Sequence, residues 1–173
     1  VILFGNNGVW QITGLSDDEG FKATSFAVKR LSNIGCISKD SLIDVEGSPF
    51  FLSASGVYTV QKNEYGLLSV ISLSANTIQS LYEDIPLHNL QNAIGVYDRG
   101  CQKLYWFYDI TSEEDTIPNR YTRGLVYDLR LQAFYEMSFA STSSYPNICS
   151  SFNTPWLEGI SFDQEVLDNE KEL

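Results

Sequence analysis

Short runs of alternating hydrophobic and polar positions fill most of the chain, and turns rich in small residues separate them. The clearest case is residues 48–60, an aromatic run, an Ala-Ser-Gly turn and a second run. A period of two is typical of β-strands, and small residues between two such runs indicate a hairpin. The same plan appears in residues 1–12, and in looser form in residues 94–107 and 125–139. The pattern predicts serial β-hairpins.

Further strands are predicted at residues 21–31, 41–45 and 67–73. The aromatic run Phe50-Phe51-Leu52 places apolar side chains on both faces of its strand, because successive side chains point to opposite faces. Burial on both faces requires cover from two sides. We therefore expect this strand to lie between neighbouring sheets or subunits.

One short helix is predicted after residue 74. Ser74 suits an N-cap, and Pro86 is expected to end the helix. The apolar positions between them have the spacing of a single helical stripe, at Ile78, Leu81, Tyr82 and Ile85.

The fold class that follows is all-β and mainly antiparallel, with β-propeller-like blades and one helix. Residues 1–139 are expected to form this domain as about three strand groups. A closed propeller has about four to eight blades, so we expect the chain to be part of a larger propeller chain. Residues 140–173 are less regular, with a candidate strand at 156–162 and an acidic tail at 163–173.

Two sets of residues are predicted to hold this architecture together. Glycines permit tight turns and close approach, and aspartates at strand ends accept turn N–H groups; these residues are Gly8, Gly35, Gly56, Asp98 and Asp128. Large rings are expected to fill the space between sheets, at Trp10, Phe51, Tyr58 and Trp106. The triplet Val-Tyr-Asp ends at both aspartates, which indicates an internal repeat.

The formal net charge is −11 at pH 7. A protein of this sign repels nucleic acid and anionic membranes, so non-specific attraction to nucleic acid is not expected and no membrane binding is predicted. The three cysteines, at 36, 101 and 149, form no C-x-x-C pair and are read as reduced thiols.

No catalytic, cofactor-binding or metal-binding residue is assigned. His88 is the single histidine, predicted on a loop after the helix, and no nucleophile elbow accompanies it. Residues 16–20 match the Ser-x-Asp-x-Gly half of the turn motif of sialidase-like propellers but lack the Thr-Trp that would complete it, since Lys22 and Ala23 follow. Asp98 and Asp128 could in principle form a carboxylate pair, but strand-end capping is the favoured interpretation.

Several phrases, taken in order, resemble one family. They are Leu3-Phe4 with Gly8-Val9-Trp10, the stretch 34–38, Phe50-Phe51-Leu52-Ser53 with Gly56-Val57-Tyr58, Val96-Tyr97-Asp98, Leu104-Tyr105-Trp106, and the stretch 125–129. They resemble the β-propeller tail proteins of short-tailed bacteriophages, called tail tubular, nozzle or stabilisation proteins. The segment after residue 140 does not share the resemblance.

The resemblance implies a structural protein of the virion tail and no enzymatic activity. It implies copies of the chain in a ring, contacts with the portal adaptor and with tail fibre or spike proteins, and passage of genomic DNA through the channel without specific binding. Two alternatives stay open, a glycan hydrolase on a propeller scaffold and a cellular propeller that serves as an interaction platform, because one fold hosts many functions.

Overall fold

A computed structural model describes residues 1–14, 25–110 and 121–138. These residues form eleven strands, two short α-helices and one turn of 3-10 helix at Lys39–Ser41. In chain order the elements are β1 Ile2–Gly5, β2 Gly8–Gly14, β3 Phe26–Ser32, β4 Ile43–Val45, β5 Ser48–Ser53, β6 Gly56–Lys62, β7 Leu68–Ser72, α1 Gln79–Glu83, α2 Leu87–Gln91, β8 Ile94–Asp98, β9 Lys103–Tyr108, β10 Arg123–Asp128 and β11 Ala133–Ser138.

The strands of the described residues make three sheets in which every pairing is antiparallel. The first sheet is β1-β2-β3, the second β4-β5-β6-β7 and the third β8-β9-β10-β11. Each is a meander, in which neighbours in sequence are neighbours in space. The all-β, antiparallel prediction is confirmed, and the three strand groups correspond to the three sheets.

Tight turns connect several of the paired strands. Asn6 and Asn7 form the loop between β1 and β2, since Gly5 pairs directly with Gly8. Between β4 and β5 the loop residues Glu46 and Gly47 both have positive φ, at 50° and 83°. Two positive φ angles define the type I′ turn, whose twist matches that of antiparallel strands.

The prediction of one helix is wrong. The first helix, α1, does end before Pro86, but a second helix follows, and the φ of −59° and ψ of 139° of Pro86 place it as the cap before α2. Proline's fixed φ is compatible with a helix start, where a missing N–H costs nothing. Ser74 is not the cap of α1, which begins after Ile78. The predicted apolar stripe does face the core, with Tyr82 buried and the rest packed around it.

The second sheet lies between the other two. Its strand β5 turns Phe50 and Leu52 toward a core shared with the third sheet, and Phe51 toward a core shared with the first. All three side chains are buried. The expectation of cover on both faces is therefore confirmed, and the cover comes from the flanking sheets of the same chain.

The sheets follow one another in chain order, with β3 against β7 and β4 against β8. The last strand of the first sheet thus lies beside the last strand of the second, and the first strand of the second sheet lies beside the first strand of the third. The candidate strand at 156–162, the acidic tail, Cys149 and the polar loop at 111–119 lie outside the described residues.

Candidate interaction surfaces and strand-end residues

Asp98 and Asp128 end β8 and β10 and hold the turns that follow. The backbone N–H of Cys101 donates to Asp98 Oδ1 at 3.1 Å. Asp128 Oδ1 accepts from the N–H of Arg130 at 2.9 Å and from that of Leu131 at 3.0 Å. Both carboxylates therefore act as turn caps.

The two turns share a second feature that the sequence interpretation missed. Gln102 and Gln132 have positive φ, at 54° and 52°, and each lies four residues after its aspartate. The N–H of Leu129 donates to the carbonyl of Gln102 at 3.0 Å, so a backbone hydrogen bond connects the two turns. The signal was present in the sequence, because the stretches 98–103 and 128–133 align as Asp-x-x-x-Gln.

Lys103 begins β9 directly between the two carboxylates, paired with Asp98 on one side and Asp128 on the other. Its Nζ lies 3.8 Å from Asp128 Oδ2. The hydrogen bond from the Cys101 N–H lowers the pKa of Asp98, and the one from the Leu131 N–H lowers the pKa of Asp128. A glycosidase acid needs a raised pKa, so these two carboxylates are poorly suited to that role.

The predicted glycines lie where one segment crosses another. A Cβ on Gly35 would overlap the backbone of Asn6, and a Cβ on Gly56, whose φ is +148°, would overlap Ser74 Oγ. A Cβ on Gly8 would lie 2.7 Å from the carbonyl oxygen of Ser32. Each glycine thus allows close approach.

Three of the four predicted packing aromatics lie in the cores. Phe51 and Tyr58 stack with centroids 5.9 Å apart in the core between the first and second sheets. Trp106 is fully buried between the second and third sheets. Trp10 is only half-buried, and the guanidinium of Arg30 lies 5.5 Å from its ring.

Trp10 belongs to a surface that we call the first outer face, the side of the first sheet turned away from the second. The register places Leu3 beside Trp10 and Ile12 beside Val28 on this side. Leu3 is 48% exposed and Val28 56% exposed. A contiguous apolar patch of this kind is typical of an interaction site.

The third sheet has a corresponding third outer face. Val126 is fully buried there beneath Tyr105 and Tyr135, its partners on the two neighbouring strands. Tyr135 is 40% exposed, and Lys103 Nζ lies 5.4 Å from its ring. Tyr105 also stacks on Phe107, with centroids 6.1 Å apart. Both ends of the three-sheet stack therefore carry aromatic and aliphatic side chains.

The remaining candidates for chemistry are dispersed. His88 lies in α2 and not on a loop, because the chain returns to a helix directly after Pro86. Cys36 is a buried free thiol whose pKa is raised by burial, and Cys101 is an exposed free thiol. The described residues include no cluster of three or more His, Cys, Asp and Glu that could hold a metal ion. Among them no helix is long and apolar enough to cross a membrane.

Compared with known proteins, the chain matches no family model and no curated protein.

Proposed function

We propose that the chain is a structural component of the tail tube or nozzle of a short-tailed bacteriophage, built from propeller-like blades. The observation that carries the proposal is the stack of antiparallel meanders in chain order, with apolar outer faces at both ends. A stack with such ends is suited to packing against further sheets, whether of the same chain, of copies in a ring or of other tail proteins.

The surface chemistry agrees with a conduit for DNA. A chain with a net charge of −11 repels phosphate, so in this proposal DNA passes through the channel without adhering to the protein. Asp98 and Asp128 cap turns, and the turn hydrogen bonds lower their pKa values. Both features fit a structural role for these two residues. In this proposal the protein retains the genome and then lets it pass, in contact with a portal adaptor and with fibre or spike proteins.

The test is to locate the chain in purified virions. Mass spectrometry of isolated tails, together with gold-labelled antibody raised against the chain, should place it in the lower tail. Tails that lack the chain, or label confined to the outer surface of the particle, would refute the proposal.

Two further results would favour the alternatives. Depolymerisation of capsular polysaccharide by the purified chain, abolished in Asp98→Asn/Asp128→Asn, would replace the structural role by a glycan hydrolase. A chain that stays monomeric beside a portal–adaptor complex would favour a cellular interaction platform.

A further inference from the structure

The first sheet has three strands in the described residues, and the other two sheets have four. The hairpins β1–β2 and β5–β6 correspond in their loops. Gly5 pairs with Gly8 across two residues, as Ser53 pairs with Gly56 across two residues. Because β3 lies against β7, the strands β1, β2 and β3 correspond to β5, β6 and β7. Among the described residues the first sheet therefore has no counterpart of β4.

The side chains agree with this correspondence. Phe4 of β1 takes the place of Leu52 of β5, and each faces the core shared with the next sheet. In the same way Ile2 takes the place of Phe50. The two hairpins are therefore equivalent in strand position and in facing, and their edges can be compared residue by residue.

In the second sheet the edge of β5 is covered. Phe50 pairs with Ile43 of β4. Beyond that pair, the carbonyl of Leu52 accepts from the N–H of Ile37 at 2.9 Å, and its own N–H donates to Ser41 Oγ at 3.4 Å. Every outward backbone group of Phe50 and Leu52 thus has a partner in β4 or in the segment before it.

Among the described residues, the equivalent edge of β1 has no such cover at Ile2 and Phe4. Val1 and Ile12 exchange both backbone hydrogen bonds, at 2.8 and 3.0 Å. By the alternation of antiparallel pairs, the N–H and C=O groups of Ile2 and Phe4 point away from β2. Among the described residues no strand pairs with them on that side. Unpaired groups of this kind form a template for an added strand.

A second observation comes from the neighbouring sheet. In the third sheet Gly95 lies under the first strand of the second sheet, so closely that a Cβ would be 2.6 Å from Ile43 Cγ1. Asp44 of β4 corresponds to Gly95 of β8, because residues 43–45 read Ile-Asp-Val and residues 94–96 read Ile-Gly-Val. Asp44 is exposed. Thus no strand of the described residues occupies the place above Asp44 that β4 occupies above Gly95.

We propose that the edge of β1 is a strand-addition site, which takes one extended polypeptide segment from outside residues 1–173. The segment pairs antiparallel with Ile2 and Phe4 and carries β-branched residues at alternate positions, as β4 does. The residue of the added segment that faces Asp44 is a hydrogen-bond donor. An isoleucine, such as the one that covers Gly95 at the equivalent position, would leave the carboxylate of Asp44 buried without a partner. The inference does not depend on the virion proposal.

The experiment places such a segment next to its site. The full chain is extended before Val1 by Ser-Leu-Thr-Asp-Val-Glu-Gly-Ser, a copy of residues 41–48 with threonine in place of the isoleucine. The matched control carries proline at the threonine and valine positions, which removes the N–H donors that pairing requires. Amide hydrogen exchange at Ile2 and Phe4 is followed by NMR, and thermal unfolding is recorded for both chains.

With the threonine–valine extension, exchange at Ile2 slows by about tenfold or more and Tm rises by about 3 °C relative to the proline control. Equal exchange in the two extended chains would overturn the proposal. So would slow exchange at Ile2 in the unextended chain. If that protection is independent of protein concentration the chain fills its own edge, and if it grows with concentration a second copy does.

Discussion

Trp106 donates its indole Nε1–H to the carbonyl oxygen of Ser41 at 2.8 Å, and both residues are fully buried. The bond spans 65 residues of sequence and joins the third sheet to the segment that leads into the second. Trp106→Phe leaves that carbonyl without its donor and removes ring volume from the core. We expect the free energy of unfolding to fall by about 2–4 kcal/mol.

Urea denaturation followed by circular dichroism measures this loss. Trp10→Phe is the matched control, because Trp10 is half-buried on the first outer face and its ring contacts Arg30 instead of a buried carbonyl. We expect Trp10→Phe to lower the free energy of unfolding by less than about 1 kcal/mol. Equal losses in the two variants would contradict the role given to the Trp106–Ser41 bond.

Gly35→Ala should destabilise the protein through a clash with backbone. The added Cβ overlaps the backbone of Asn6, which is fixed in the β1–β2 turn and cannot rotate away. The expected cost is about 3 kcal/mol. Gly47→Ala serves for comparison, since nothing lies within 4 Å of its Cβ and only its φ of +83° opposes the change. That strain costs about 1 kcal/mol, and chemical denaturation should rank the two variants in this order.

Asp128 makes stability depend on acid pH. Its folded-state pKa is lowered, chiefly by the hydrogen bond from the Leu131 N–H, so its stabilising contribution is complete above the unfolded value of about 3.9. The contribution is lost as pH falls through the folded pKa. Asp128→Asn keeps an oxygen acceptor but does not titrate, and its stability should vary less between pH 5 and pH 2. Urea midpoints across that range provide the check, and identical pH profiles would count against it.

Tyr82 makes stability depend on alkaline pH. Burial raises the pKa of its phenol far above the usual value, and its hydroxyl donates to the carbonyl of Ser53 at 2.5 Å. A raised folded pKa gives a contribution that is complete below the unfolded value of about 10 and is lost as pH rises beyond it. Tyr82→Phe should cost about 1–2 kcal/mol at pH 7.

The same variant should lose less stability than the wild-type protein between pH 9.5 and pH 11, because the titrating group is gone. Absorbance at the tyrosinate band, recorded alongside the unfolding curves, separates buried from exposed phenols. Tyr65→Phe is the control, since Tyr65 is 79% exposed and its replacement should leave the alkaline profile unchanged. A parallel loss in all three proteins would contradict the assignment.

The hairpins could be predicted because their determinants are local. Alternation and small-residue turns specify β5–β6 from thirteen consecutive residues, and the double-sided apolar run of β5 already requires two covering layers. The roles of Ser74 and Pro86 could not be predicted in this way. Ser74 Oγ accepts the N–H of Val57 and donates to Gln79, so a tertiary contact overrides its capping propensity.

The candidate surfaces, too, could be predicted from the sequence only where local residues determine them. The sequence identifies Trp10 and Trp106 as equivalent large rings, but only the stacking of sheets decides that one lies outside and the other inside. The turn aspartates could be identified from the repeated triplet, whereas the positive φ of Gln102 and Gln132 required the two turns to be compared position by position. That the described residues contain no counterpart of β4 in the first sheet became visible only through the contact between β3 and β7.

The position of the second sheet between its neighbours has a consequence during synthesis. A nascent chain completes β5 and β6 before the residues of the third sheet leave the ribosome. Until the strands of the third sheet emerge, Phe50, Leu52 and Val57 lack the cover that this sheet provides, and it is complete only when β10 has been made. Exposed apolar surface of this kind makes a nascent chain prone to aggregation, and the time it stays exposed is set by translation of about fifty residues between β7 and β10 at about 5–20 residues per second.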